Sequence, residues 1–202
     1  SELIEIASNY PKCTIISDEI YDGLDFSDSF VSTASISSKS PVITLNGVSK
    51  VFFAPGWRIG YMAWHDPKNQ LSHVRDGVER LLRSRLCASS PAQFGYLAGI
   101  QGSKEYLKEN YSRILRRLDY SMKRISEING IECHRPGGAF YLFVKITNSI
   151  YSNDDKKFVL DLLHKKHVLV VHGSGFSPEF GKGHFRMVCL PSIEVLKEAF
   201  NR

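Results

Sequence analysis

PVITLNGVSK, residues 41–50, is an apolar run that passes into a polar turn and ends in a lysine. Short apolar runs that are bounded by turn residues are typical of buried strands. A lysine at the end of a buried strand is costly unless it is exposed, paired or used covalently. The stretch therefore predicts a sheet strand and, at Lys50, a candidate reactive amine.

Two further apolar runs lie on either side of this stretch, Cys13–Ile16 upstream and Trp57–Ala63 downstream. Apolar runs with few polar interruptions suit strands that are buried on both faces, as in an α/β sheet. Helical spacing predicts helices over 1–10, 70–86 and 92–99, and a long helix that begins after Ser103 and ends at Asn129-Gly130. We expect residues 1–125 to form an α/β domain.

The pattern changes after Gly130, where short strands alternate with helices. Strands are predicted over 131–133, 139–145, 168–171 and 185–190, and helices over 154–166 and 193–199. Strands and helices mixed in one compact unit are typical of a small α+β domain. We expect such a domain over residues 126–202, joined to the first domain by the long helix.

The composition restricts the classes of partner. The formal net charge is +5, but the basic residues are interspersed with acidic ones. The densest basic run, Arg113–Arg117, falls in a helical pattern and is better explained as a solvated helix face than as a nucleic-acid patch. The four cysteines form no CxxC pair, and no apolar stretch approaches the length of a membrane span. We expect a cytoplasmic protein that binds neither nucleic acid, membrane nor metal.

Polar side chains follow two of the predicted strands. Asp18-Glu19-Ile20-Tyr21 comes directly after the strand at 13–16, and Lys50 follows the strand at 41–45. In open α/β sheets, ligands bind at the carboxyl ends of the strands. Asp18 has a simpler alternative as the cap of the next helix. Arg58 lies eight residues after the lysine, and its planar guanidinium suits a phosphate.

Taken together, these segments resemble one known family. NGVSK at 46–50 and APGWRIGY at 54–61 are similar to the cofactor-lysine signature of the class I/II aminotransferases, which are fold-type I pyridoxal-phosphate enzymes. DEIY at 18–21 resembles the motif that precedes that signature, and the order and separation of the motifs also fit. The resemblance implies the C-terminal part of such an enzyme, with part of the large cofactor-binding domain followed by the small domain.

The resemblance also implies a role for each matching residue. Lys50 forms a Schiff base with pyridoxal 5'-phosphate and, once released by substrate, carries a proton between substrate and cofactor. Asp18 binds the pyridinium nitrogen and keeps it protonated, so that the ring accepts electrons. Tyr21 donates to the phenolic oxygen of the ring, and Arg58 binds the phosphate. Ser49 either assists in cofactor binding or is a plain turn serine.

Four other positions carry weaker implications. Arg186 matches the strand arginine that binds the substrate α-carboxylate, with an internal ion pair as its alternative. The segment Gly137–Phe143 matches a strand entry that lines the substrate side, or is only a turn. Arg85 lies where some relatives bind a distal carboxylate, which does not by itself assign a dicarboxylate substrate. His184 is better explained as a strand-edge histidine than as a base.

Gly47 stands where many relatives have a serine, three positions before the lysine, which puts one phosphate contact in doubt. Other family features would lie before residue 1: the phosphate loop, the aromatic residue that stacks on the cofactor, and an asparagine near the ring oxygen. We therefore expect a fragment with a weak or absent cofactor site as a lone chain. The full-length protein is expected to be a homodimer.

The function that follows is the transfer of an amino group from an amino acid to a 2-oxo acid. The motifs do not distinguish between alanine, aspartate and aromatic amino acids as the amino donor. Three alternatives remain: a pyridoxal-phosphate lyase on the same scaffold, an effector-sensing domain of a transcription regulator, and a partner-binding fragment without catalysis. The joint presence of Asp18, Tyr21, Lys50, Arg58 and Arg186 counts against the last.

Overall fold

The computed structural model describes residues 2–202 and divides into two compact units. The first unit ends at Leu107, and the second runs from Lys108 to Arg202. Each unit has its own sheet. The expected domain boundary, at 125/126, falls near the end of the long helix, whereas this division assigns most of that helix to the second unit.

The first unit contains three strands and four α-helices. Their bounds are α1 (Glu2–Ser8), β1 (Ile15–Asp18), α2 (Thr33–Ile36), β2 (Val42–Gly47), β3 (Gly60–His65), α3 (Ser72–Ser84) and α4 (Ser90–Gln101). The predicted strands and helices are confirmed, with shifts of a few residues at their ends. The first helix was expected over 1–10, of which Ser1 lies outside the described residues.

The sheet of the first unit brings β1 and β2 together as parallel neighbours. Asp18 pairs with Leu45 at the carboxyl end of this pair. β3 is antiparallel to β2, with Gly60 opposite Gly47. β2 is buried as predicted, but the expectation of burial is wrong for β1, in which Ile16 and Asp18 are exposed, and for β3, whose residues 60–63 are exposed. β3 is an antiparallel edge strand, and such strands can leave a face open.

The second unit is a four-stranded antiparallel sheet with helices. Its elements are α5 (Glu105–Ser126), β4 (Ile131–Glu132), β5 (Tyr141–Ile146), α6 (Asp155–Lys166), β6 (Val171–His172), β7 (His184–Val188) and α7 (Ile193–Asn201). The sheet order is β4-β5-β7-β6. The strands and helices expected after residue 130 are confirmed except that the strand predicted over 168–171 is wrong for residues 168–170 and begins only at Val171. Within residues 2–202, no helix is both long enough and apolar enough to cross a membrane.

Alternation along β5 separates the two faces of the second sheet. Leu142, Val144 and Ile146 are buried, whereas Phe143 and Lys145 between them are exposed. A side-chain period of two is what a strand with one covered face requires. The sheet therefore has a packed face and an open face, and the open face carries the candidate functional side chains described below.

Gly60 and Gly77 provide a test of the β2–β3 pairing. A Cβ at Gly60 would lie 2.6 Å from the Asn46 carbonyl oxygen, whereas a Cβ at Gly77 in α3 would meet nothing within 4 Å. We expect Gly60→Ala to lower the free energy of unfolding by about 1–3 kcal/mol, because the strands must shift. Gly77→Ala should raise it by about 0.5–1 kcal/mol through helix propensity. Urea denaturation measures both, and a neutral Gly60→Ala would contradict this pairing.

Candidate functional site

The turn that carries Lys50 is closed by backbone hydrogen bonds on both sides. The Val48 amide donates to the Ile59 carbonyl at 3.3 Å, and the Ala54 amide donates to the Val48 carbonyl at 3.2 Å. Val48 is only 1% exposed, so it anchors the turn in the core of the first unit. The Phe53 amide donates to the Lys50 carbonyl at 3.2 Å. Lys50 is thus presented, half-buried, from a turn with a defined backbone.

Tyr21 lies next to this lysine. The Lys50 ammonium nitrogen is 5.7 Å from the centroid of the Tyr21 ring, within the range of a cation–π contact. A second link joins the same two segments, since the Asn46 side-chain amide donates to Asp22 Oδ2 at 2.9 Å. Asn46 Oδ1 in turn accepts from the Gly47 amide at 2.7 Å. The end of β2 and the segment after β1 are therefore joined.

Asp18 occupies the end of β1, at the same edge of the sheet. Its side chain is exposed, and its Oδ1 accepts from the Ile20 amide at 3.3 Å. Because β1 and β2 are parallel and Asp18 pairs with Leu45, the segments that leave the two strands start from one edge. The structure thus brings Asp18, Tyr21 and Lys50 to one end of the β1–β2 pair.

Glu19 is a residue that the sequence analysis missed. It is 7% exposed, and its Oε1 accepts from the Ser17 hydroxyl, the Ser32 hydroxyl and the Thr33 amide at 3.0, 3.1 and 2.9 Å. This carboxylate anchors the serine-rich segment to the strand end that carries Asp18. The signal was its position directly after a strand, but the sequence does not specify that two of its three partners, Ser32 and Thr33, come from 13 and 14 residues further along the chain.

Arg58 lies in an uncommon backbone conformation. Its φ is +52°, in the left-handed region, where non-glycine residues are rare and often functional. The side chain is exposed, and its Nη1 donates to the Pro55 carbonyl at 2.9 Å. Arg58 and Arg85 line one cavity of about 760 Å³. Ser49 is half-buried in the turn before Lys50.

An aromatic cluster, formed by Phe52, Tyr61 and Tyr96, lies beside this region. Tyr61 stacks on Tyr96 with ring centroids 6.2 Å apart, and Tyr96 packs edge-on against Phe52 at 5.4 Å. Burial, with smaller effects from Tyr61 and Asp22, raises the pKa of Tyr96 to about 12. Burial and the charges of Asp22 and Glu19 also raise the pKa of Tyr61. Both phenols therefore stay protonated well above neutral pH.

Arg186 lies on β7 in the second unit, between two aromatic rings. Its guanidinium carbon is 4.4 Å from the centroid of the Tyr141 ring and 4.4 Å from that of Phe176. Contacts of this kind orient the guanidinium plane and leave its N–H edge for a planar anion. Among residues 2–202, no carboxylate forms an ion pair with Arg186. The internal ion pair considered above is therefore not what these residues show.

The neighbours of Arg186 account for two other predicted positions. Residues 137–143 include the entry to β5, with Ala139 at φ +61°, and they place Tyr141 against Arg186. His184 stacks on Phe143 with centroids 5.0 Å apart, and its Nδ1 donates to the Lys182 carbonyl at 3.0 Å. The sequence favoured a surface or strand-edge histidine over a catalytic base; His184 is half-buried on β7, which lies between β5 and β6 rather than at the edge of the sheet.

Comparison with known proteins gives the same family that the sequence motifs resemble. A family model described as "Aminotransferase class I and II" matches residues 1–202. The chain therefore belongs to the class I and II aminotransferases.

Individual relatives support the same family assignment. The chain is 35% identical to glutamate-pyruvate aminotransferase AlaA of Haemophilus influenzae and 33% identical to alanine aminotransferase of Mycobacterium tuberculosis, covering all of this chain and 50% and 48% of those proteins. A solved structure of alanine aminotransferase from Pyrococcus furiosus superposes with a TM-score of 0.93 at 51% identity, over 99% of this chain and 50% of that one. The chain thus spans about half the length of these proteins.

The charge environment of Tyr61 is testable through Asp22. Because the negative charge of Asp22 raises the pKa of the Tyr61 phenol, we expect Asp22→Asn to lower that pKa. Asp76→Asn, on the exposed side of α3, is the matched control and should leave the Tyr61 pKa unchanged. A pH titration of ¹³C-labelled tyrosines by NMR measures both. An unchanged Tyr61 pKa in Asp22→Asn would show that the two groups are not close in solution.

Proposed function

We propose that this chain contributes to a pyridoxal-phosphate-dependent aminotransferase, which transfers an amino group from an amino acid to a 2-oxo acid. The observation that carries the proposal is the placement of Lys50 beside Tyr21, at the end of the sheet where Asp18 also lies. Membership of the aminotransferase family over residues 1–202 supports it.

The side chains predicted to bind pyridoxal phosphate match its chemical groups one by one. The carboxylate of Asp18 suits a protonated ring nitrogen, and the hydroxyl of Tyr21 suits the ring oxygen. The guanidinium of Arg58 offers paired N–H donors to a phosphate, and Ser49 is a second candidate nearby. When bound, this cofactor supplies an electron sink that stabilises negative charge on the substrate α-carbon.

Lys50 has two tasks in this proposal. Its Nζ would hold the cofactor in the resting enzyme and, once released by substrate, would carry a proton from the substrate α-carbon to the cofactor carbon. A base that serves two positions must be presented from a fixed backbone with a mobile side chain. The closed turn at 48–54 provides the fixed backbone, and four methylene groups provide the reach.

Gly47 marks a departure from many relatives. A Cβ at this position would lie 2.7 Å from the Ile59 carbonyl oxygen and 3.0 Å from the Gly60 Cα. A serine there would require the two backbones to separate, so this chain supplies no hydroxyl from residue 47. We propose that phosphate binding depends correspondingly more on Arg58.

Arg186 is proposed to bind the substrate α-carboxylate. A guanidinium held between Tyr141 and Phe176 presents its N–H edge in a defined plane, which matches the two oxygens of a carboxylate. Lysine at this position would keep the charge but lose both the fork and the stacking.

The finer proposals rest on the named relatives. Because three of them are alanine or glutamate-pyruvate aminotransferases, we propose alanine and glutamate as donors and pyruvate and 2-oxoglutarate as acceptors. We also propose that the second unit forms the small domain of a cytoplasmic homodimer. Exposed apolar side chains in the first unit, such as Leu86 and Phe94, support an interaction surface.

Covalent trapping tests the role of Lys50. The full-length protein is mixed with pyridoxal phosphate at limiting concentration and reduced with borohydride, which converts a Schiff base into a stable covalent product. Peptide mass spectrometry should find the label concentrated on Lys50, and Arg58→Ala should lower this labelling severalfold. Arg80→Ala, on an exposed part of α3, is the control. Labelling spread evenly over exposed lysines such as Lys68 would refute the cofactor site.

Steady-state kinetics of the full-length enzyme test Arg186. Arg186→Lys should raise KM for the amino acid and the 2-oxo acid by roughly tenfold to a hundredfold, because charged hydrogen bonds of about 1.5–3 kcal/mol are lost. Arg80→Lys should leave KM unchanged.

Product analysis with and without added 2-oxo acid distinguishes transamination, which requires the acceptor, from lyase chemistry, which does not. Turnover without an acceptor would contradict the proposed reaction.

A further inference from the structure

The loop between β6 and β7, residues 173–183, is fastened at both ends by one side chain. The amide of Ser174, near its start, donates to Asp155 Oδ2 at 2.8 Å. The amide of Gly183, at its end, donates to Asp155 Oδ1 at 3.4 Å. The two oxygens of a single carboxylate on α6 therefore join the two ends of the loop.

Asp155 is suited to hold these amides as a charged group. The residue is 3% exposed, and a buried carboxylate is costly unless it accepts hydrogen bonds. Burial alone would raise the pKa of Asp155, but the hydrogen bonds from Ser174 and Gly183 outweigh burial and lower that pKa. His172 adds a further polar neighbour, with its Nδ1 3.7 Å from Asp155 Oδ2 and 3.0 Å from the Ser174 hydroxyl.

The neck of the loop is narrow enough to exclude side chains. A Cβ at Gly173 would lie 2.2 Å from the Gly181 carbonyl oxygen, and one at Gly181 would lie 2.0 Å from the Gly173 carbonyl oxygen. The His184 amide donates to the Gly181 carbonyl at 3.1 Å. The two sides of the neck therefore touch through their backbones, and Asp155 fastens them from α6.

This loop carries one of the two rings on Arg186. Phe176 lies 4.4 Å from the guanidinium carbon and packs edge-on against Phe143 at 6.1 Å. Phe176 is 50% exposed, so burial does little to hold it in place. The Phe176 amide donates to the Gly173 carbonyl at 2.9 Å, so Phe176 is tied to the start of the loop, next to the Ser174 amide that Asp155 binds.

We propose that Asp155 is a positioning residue that fixes the 173–183 loop and thereby holds Phe176 against Arg186. The fastening of the loop stands on the geometry alone, and its effect on substrate binding rests on the proposed function of Arg186. Asp155 does not itself touch substrate or cofactor in this proposal.

Amide hydrogen exchange of the 202-residue chain tests the fastening. Asp155→Asn keeps the shape of the side chain but removes the charge and one acceptor. We expect exchange at Ser174, Phe176 and Gly183 to rise by about tenfold or more, with exchange at Val144 in β5 unchanged. Asp154→Asn is the matched control, because asparagine caps a helix as well as aspartate does. Unchanged loop exchange in Asp155→Asn would overturn the proposal.

Kinetics of the full-length enzyme test the effect on Arg186. Asp155→Asn should raise KM for the amino acid by roughly threefold to tenfold, the range that a lost cation–π contact carries, while borohydride labelling of Lys50 stays at the wild-type level. Phe176→Ala, at a half-exposed position, should give the same KM increase. A loosened loop with unchanged KM in both variants would overturn the positioning role. Loss of Lys50 labelling in the wild type would instead reject the proposed function and leave the exchange result intact.

Discussion

The parallel pairing of β1 with β2 is the constraint on which the candidate cofactor site depends. Two parallel strands end at the same edge of a sheet, so the polar residues that follow them start from one place. The register of Asp18 opposite Leu45 sets how far the two segments are offset. Shifting this register by one residue would turn every side chain of the shifted strand to the opposite face and separate Asp18 from the lysine turn.

The close approach of β2 and β3 provides the second constraint. Gly47 and Gly60 face each other where their backbones leave no room for a Cβ. This approach allows Val48 to bond to the Ile59 carbonyl and closes the turn behind Lys50. It also explains why residue 47 is a glycine where many relatives have a serine, because a Cβ there would lie 2.7 Å from the Ile59 carbonyl oxygen.

Much of this arrangement could be predicted from the sequence, because it depends on local patterns. The apolar run at 41–45 predicted β2, and the motifs around it identified Lys50, Asp18, Tyr21 and Arg58. The exposed faces of β3 could not be predicted, since an apolar run such as Gly60–Ala63 does not reveal what packs against it.

The residues that were missed act through partners that are distant in the sequence. Glu19 binds Ser32 and Thr33, and Asp155 binds Ser174 and Gly183. In the local sequence, Glu19 is an ordinary acid after a strand, and Asp155 is an ordinary acid at the start of a helix. Their buried positions and their roles as anchors depend on tertiary contacts, which carry no signature in spacing or composition. The Phe176 ring on Arg186 was also not predictable, because Phe176 reaches the guanidinium only through the folded loop.

The most direct measurement is a crystal structure of the full-length protein with pyridoxal phosphate bound. We predict a covalent bond between the cofactor and Lys50 Nζ. The Asp18 carboxylate should lie within hydrogen-bond distance of the ring nitrogen, and the Arg58 guanidinium should bind the phosphate. A cofactor bonded to another lysine, or a ring nitrogen that faces away from Asp18, would contradict it.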